Sequence, residues 1–195
     1  MSKRLTGKSY AECEVDLCQS LIKRVTDQTP DFIERKSEHF IPVLVYGTLK
    51  SGGYFHDTLE GCPYLGDAYT TTPAFVLYDT GSFPVAFHIG NASDKRIKNR
   101  GKLFGEVYVV DPLTLLQLDR IESNGRMYSR KRITVKLIDQ QGQANQFIQA
   151  WIYCGVDRYW SGDKYLKPCN MKSSSAGTVY DWDPRRSNLD DNIPF

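Results

Sequence analysis

Hydrophobic positions change period twice along the chain. Over residues 9–26 they recur at helical spacing. Ala11, Val15, Cys18, Ile22 and Val25 form a stripe, with Glu12, Asp16, Gln19, Lys23 and Arg24 elsewhere around the helix. Ser9 and Glu12 fit a capping box, and Asp27-Gln28-Thr29-Pro30 ends the pattern. The spacing predicts an amphipathic helix whose stripe must be covered. Packing on its own domain is the expected cover; the competing reading is a self- or partner contact through residues 9–26.

From residue 41 onward, short apolar runs and two-residue alternation take over. They predict strands over Ile41–Tyr46, Tyr64–Thr72, Ala74–Tyr78, Pro84–Ile89, Leu103–Val110, Tyr128–Ile138 and Gln146–Tyr153. Turns fall at Asp79-Thr80-Gly81 and Asp139-Gln140-Gln141-Gly142. Asp111-Pro112 reads as an N-cap and first-turn proline, opening a helix that runs to about Ile121. Many strands with one or two helices predict an α+β fold, a small mixed β-barrel or strongly curved sheet. After Gly155 the period decays into a tail rich in Trp, Tyr, Asp, Asn, Ser and Pro. The expected organisation is an N-terminal helical extension over 1–40, a barrel domain over 41–155, and an irregular C-terminal arm over 156–195.

Composition narrows the function classes. With 195 residues, 41% hydrophobic and 25% charged, the chain has the profile of a globular domain with extensions. Its net charge of +2, from 25 basic and 23 acidic residues, gives no electrostatic case for nucleic acid. The one basic run, Lys95 to Lys102, reads as a solvated loop. No run nears the ~18 apolar residues of a membrane span, and the basic start has no apolar segment behind it. Five cysteines without a Cys-x-x-Cys pair, and three histidines, offer no zinc spacing. Free thiols in a cytoplasmic protein, with no metal, are the expectation.

Candidate chemistry sits at two places. The run Val43-Leu44-Val45-Tyr46-Gly47-Thr48-Leu49-Lys50-Ser51-Gly52 carries a buried strand into a glycine-containing loop. Its plain reading is a core strand and an ordinary turn. The other is a set of main-chain N–H groups leaving a strand around Gly47, free to hold an anion. On the helix opened by Asp111, Glu122 falls between Leu115 and Leu118 on the apolar face. It is either a helix-end residue bonded to local backbone, or a carboxylate pressed against the core. Burial would raise its pKa and suit it to general-base work. Asp119 lies nearer the edge of the stripe. Tyr128 and Arg130, two apart on a strand, face one side. Either Tyr128 lines a pocket while Arg130 pairs with an acid or a substrate carboxylate, or they are a barrel-wall tyrosine beside a surface arginine.

Taken together, these segments carry a resemblance. Tyr46-Gly47-Thr48-Leu49, then Gly105-Glu106-Val107-Tyr108, Leu118-Asp119-Arg120-Ile121-Glu122, Tyr128 and Arg130, resemble the γ-glutamylcyclotransferase-like family. The similar branch is the AIG2-like and γ-glutamylamine cyclotransferase group. The resemblance covers roughly residues 41–154. It implies a mixed barrel and a cofactor-independent release of 5-oxoproline from a small γ-glutamyl amine or peptide. It also implies that Glu122 is the base and acid, and that backbone donors of Tyr46, Gly47, Thr48 and Leu49 hold the substrate. Tyr128 and Arg130 follow as second-tier binding residues, with Glu106 and Tyr108 as structural support. One departure stands out: Asn124-Gly125 occupies the stretch where the family commonly has a proline. A non-catalytic carboxylate- or protein-binding module on the same fold is the reading from a different class. A buried carboxylate speaks against it, since an anion pocket gains nothing from one.

Overall fold

β1 (Ile41–Val45) is buried on both faces, which is why its sequence is a continuous apolar run without alternation. Val43 and Val45 face one core cluster and Leu44 faces the other. The strand is clamped between two partners far along the chain. It runs antiparallel to β5 (Lys102–Val110), with Ile41 opposite Val110 and Val45 opposite Glu106. It also touches β7 (Ala144–Gly155) in parallel, at Val43 and Trp151. β7 pairs antiparallel with β6 (Tyr128–Ile138), β6 with β2 (Tyr64–Thr70), and β2 with β5. The order β1-β7-β6-β2-β5, with β1 also on β5, closes a five-stranded barrel. The computed structural model describes residues 40–90, 93–138, 144–162 and 165–185. The helix expected over 9–26 and the turn expected at 139–142 lie outside them.

Every barrel strand contributes to the inner core: Leu44, Ala68, Val107, Val135 and Leu137, and Ile148, Ala150 and Ile152. A five-stranded barrel is narrow enough for these side chains to fill it. The second cluster lies between the barrel and the elements laid over it, and includes Val85, Phe87, Tyr108, Leu118, Tyr128 and Trp160.

A second sheet has the order β4-β3-β8, from β4 (Pro84–His88), β3 (Phe75–Asp79) and β8 (Lys167–Pro168). The segment after Gly155 is not period-bearing, yet it is stitched to the barrel. β10 (Gly177–Tyr180) runs parallel to β5 at Val179–Lys102 and Tyr180–Leu103, and pairs with β9 (Lys172–Ser174). Trp182, two residues later, is buried.

α1 (Pro112–Ile121) begins as its sequence predicts. The Asp111 carboxylate accepts from Thr114 N–H at 2.7 Å, and Pro112 opens the helix. Asp111→Ala is expected to cost about 1 kcal/mol, visible as a lower unfolding midpoint in urea. An unchanged midpoint would mean that proline and packing alone define the helix start. Among the described residues no helix is long and apolar enough to cross a membrane.

Candidate active site

α1 places Thr114, Leu118 and Glu122 four residues apart on one line, and the first two are buried. Glu122 is the C-cap, and the chain reverses immediately after it. Asn124 N–H donates to Asp119 O at 2.8 Å and Ser123 N–H to Arg120 O at 3.1 Å, the two bonds of a Schellman ending. The left-handed position of that motif holds Ser123 at φ 47°, where glycine is the usual occupant. A serine there carries about 1–2 kcal/mol of strain, and the reward is a helix that ends at the carboxylate-bearing residue. The turn then closes on itself. Gly125 N–H donates to Tyr128 O, and the Asn124 side chain accepts from Arg130 N–H. Asn124-Gly125 thus builds the turn that a proline would otherwise make.

Across from Glu122 lies the loop that leaves β1. Lys50 N–H donates to Gly47 O at 3.0 Å and Phe55 N–H to Thr48 O at 3.0 Å, folding the loop back on itself. Ser51 N–H donates to Glu106 Oε2 at 2.8 Å, and the same oxygen accepts from Tyr108 Oη at 2.9 Å. Glu106 and Tyr108 therefore support this loop from β5. The N–H groups of Gly47, Thr48 and Leu49 have no acceptor among the described residues. Successive main-chain donors left without an acceptor at a strand end are able to bind an anion where they converge. Gly47 lies against Pro84: a Cβ at this position would stand 2.7 Å from Pro84 Cγ.

Loop and helix end enclose a cavity of about 230 Å³, lined by Leu44–Leu49, Ile121, Glu122 and Tyr128 among others. Of the site residues expected from sequence, Tyr46, Gly47, Thr48, Leu49, Glu122 and Tyr128 all meet here. Arg130 does not line it. Its Nε lies 3.0 Å from Asp119 Oδ1, and its guanidinium stacks over Trp151. Asp119 in turn accepts from Tyr153 Oη at 2.7 Å. Arg130 and Asp119 thus brace Tyr153, which is a cavity wall. Phe55, Phe83, Pro84, Met127 and Tyr153 complete the lining without any motif in the sequence. Tyr153 had a faint signal, since it falls in the strand predicted to pair with 128–138. Pro84 opens β4 of the second sheet and Phe83 precedes it, and neither had one.

The cavity's phenolic hydroxyls are committed. Tyr46 Oη donates to Tyr153 O at 2.8 Å, and Tyr128 Oη to Pro84 O at 3.1 Å. Burial drives both phenols well above their ordinary pKa, and Tyr153 likewise, so all three stay protonated. Glu122 differs. Its carboxylate has no hydrogen-bond partner among the described residues, and burial alone pushes its pKa from 4.5 up to about 8. Its place at the negative end of α1 acts in the same direction. Among the described residues, no three His, Cys, Asp or Glu side chains converge to hold a metal ion.

Comparison with known proteins bears on what this constellation is. The model of the family described as gamma-glutamyl cyclotransferase, AIG2-like, matches residues 43–184. The chain belongs to that family. It is accordingly an enzyme of the cyclotransferase type, from a family that acts on small γ-glutamyl substrates. The family match runs past Gly155 and takes in β8, β9 and β10. A bovine gamma-glutamylaminecyclotransferase is 36% identical over 121 residues, covering 57% of this chain and 66% of its own. A Vibrio cholerae protein provisionally named a gamma-glutamylcyclotransferase is 34% identical over 111 residues, covering 57% of this chain and 78% of its own. The crystal structure of a mouse AIG2-like protein superposes with a TM-score of 0.54 at 21% identity, over 68% of this chain and 87% of that one. That likeness concerns the fold, the mixed barrel with few helices.

Glu122 ties stability to pH in a direction that can be checked. Its folded-state pKa lies above its ordinary value, so the folded chain holds a proton that the unfolded chain has released. Stability therefore falls as pH rises from about 4.5 to about 8, by on the order of a few kcal/mol. Glu122→Gln removes this loss. The variant is expected to melt close to the wild type at pH 5 and distinctly above it at pH 9. Parallel melting curves across that range would show that the carboxyl is not buried in solution.

Proposed function

We propose that the protein releases 5-oxoproline and a free amine from a γ-glutamyl amine or γ-glutamyl peptide, with Glu122 as the single general base and acid. The observation that carries this reading is a carboxylate and three successive N–H groups that line one cavity and have no protein partner among the described residues. A γ-glutamyl group supplies both complements, an α-carboxylate for the donors and an α-ammonium for Glu122.

The chemistry needs little else. Glu122 takes a proton from the α-ammonium, and the freed amine attacks the γ-carbonyl carbon of the same molecule. A five-membered ring closes through a tetrahedral centre. The bond from that carbon to the leaving nitrogen then breaks as Glu122 returns the proton to it, and the ring nitrogen's second proton passes through Glu122 to the freed amine, which leaves as an ammonium. Tethering of nucleophile and electrophile removes much of the entropic barrier of a bimolecular attack. Phe55, Phe83 and Met127 line the cavity with apolar surface, which disfavours the charged form of Glu122 and so sustains its basicity. Tyr46 and Tyr128, fixed by their hydrogen bonds, shape the pocket and hold no mobile proton.

Incubation with a panel of γ-glutamyl amines and peptides, followed by mass spectrometry for 5-oxoproline, tests this directly. Release of 5-oxoproline from at least one member is the expected result. Its absence across the panel would sink the proposal.

A further inference from the structure

Lys50 directly follows the donor loop and is 5% exposed. A buried ammonium is costly unless it is paired and hydrogen-bonded. Here the partners come from the far end of the chain. Lys50 Nζ donates to Asp181 Oδ1 at 3.0 Å and to Trp182 O at 3.0 Å, and stands 5.0 Å from the centre of the Phe104 ring. The second Asp181 oxygen accepts from Lys172 at 3.1 Å. Asp181 is the residue after β10, which is held on β5. At its other end, Lys50 closes the Gly47–Lys50 turn through its own N–H. One residue therefore joins the turn that presents the Gly47–Leu49 amides to a segment 131 residues away.

We propose that Lys50 is a positioning residue, through which the Asp181 segment sets the placement of the substrate-binding amides. A stitch that only fastened the arm would be served as well by an apolar side chain, because buried ion pairs seldom exceed apolar packing in stability. What two directional bonds from one ammonium add is register. They fix where the loop sits relative to β5, and hence relative to Glu122 across the cavity. Glu106 fixes the next residue, Ser51, from β5 itself. The proposal rests on the cyclotransferase reading given above.

The test uses the full chain with Lys50→Met, Asp181→Asn and the double variant. Melting temperature, kcat, KM and the pH dependence of kcat/KM are measured with a γ-glutamyl amine that the wild type turns over. Each single variant is expected to raise KM about tenfold or more, since small misplacements of binding groups are costly. The pH limb near 8 set by Glu122 should stay in place. The double variant should be no worse than the worse single one, as for two residues acting through one contact. An unchanged KM in folded variants overturns the proposal and leaves Lys50 a stitch. So does a raised KM in Lys50→Met with none in Asp181→Asn, which would mean that Lys50 touches the substrate itself. If Lys50→Met does not fold, Asp181→Asn, which keeps the shape and removes the charge that holds the Lys50 ammonium, carries the same KM criterion. A wild type that releases no 5-oxoproline fails the cyclotransferase reading and takes this proposal with it. An active wild type with indifferent variants fails this proposal alone.

Discussion

Glu122→Gln is expected to leave the barrel folded and to lower turnover by about 10²–10⁴. Glutamine fills the same space at the end of α1 and cannot accept the ammonium proton. Because the wild-type carboxyl is pushed up to about 8 by burial, kcat/KM should rise with pH through that region and then level. The limb in kcat should fall at lower pH. Bound substrate brings an ammonium beside Glu122, and an opposite charge favours the ionised carboxylate. Initial-rate measurements from pH 5.5 to 9.5 on both proteins separate the two limbs. A folded Glu122→Gln protein with wild-type turnover would remove Glu122 from the mechanism. Coincident limbs would place the titrating group elsewhere.

Gly47→Val is expected to be the most damaging change in the loop. The first added carbon would meet the Pro84 ring at 2.7 Å and 3.0 Å, and a proline ring cannot rotate away. Overpacking of this kind costs about 1–3 kcal/mol, and here the displaced parts are the two sides of the substrate cavity. Pro84 also accepts the Tyr128 hydroxyl through its carbonyl, so a shift would propagate to a third wall. KM should rise by tenfold or more, at about 1.4 kcal/mol per decade. Thr48→Ala should do much less, because the main chain holds the unpartnered donors. Calorimetric binding of 5-oxoproline to both variants ranks them without relying on turnover. If Thr48→Ala is the worse, the hydroxyl and not the backbone is the principal contact.

How far the sequence could be read follows from the length of each element. β1, β5, β6 and α1 are long enough to show a period or an unbroken apolar run, and their ends carry caps or turn residues. β7 extends beyond the predicted Gln146–Tyr153 at both ends, to Ala144 and Gly155. β2 stops at Thr70, short of the predicted Thr72, and the Thr70 hydroxyl turns to bond Thr72 O. β8, β9 and β10 have two, three and four residues, too few for alternation to register. At the site, the loop and Glu122 stand out in the sequence because each is a local pattern, and the structure brings both to one cavity. For Arg130 the sequence offers an acid or a substrate carboxylate as partner, without saying which acid. Its contact with Asp119 joins a strand to a helix, and no spacing along the chain encodes that meeting. The same holds for Lys50, whose partner lies 131 residues on.

The double clamp on β1 has a consequence for how the protein comes into being. As the chain leaves the ribosome, the strand bearing the Tyr-Gly-Thr-Leu loop is made among the first of the barrel and completed last. Its antiparallel neighbour ends at Val110, and its parallel one reaches Trp151. Contacts this distant are slow to close. Until then the chain holds an apolar ribbon with both edges open, the kind of segment that nascent-chain chaperones shield. Lys50 waits longer still, for Asp181. A truncated translation product ending between residues 130 and 151 would carry every motif that marks the pocket and lack the strand that closes it.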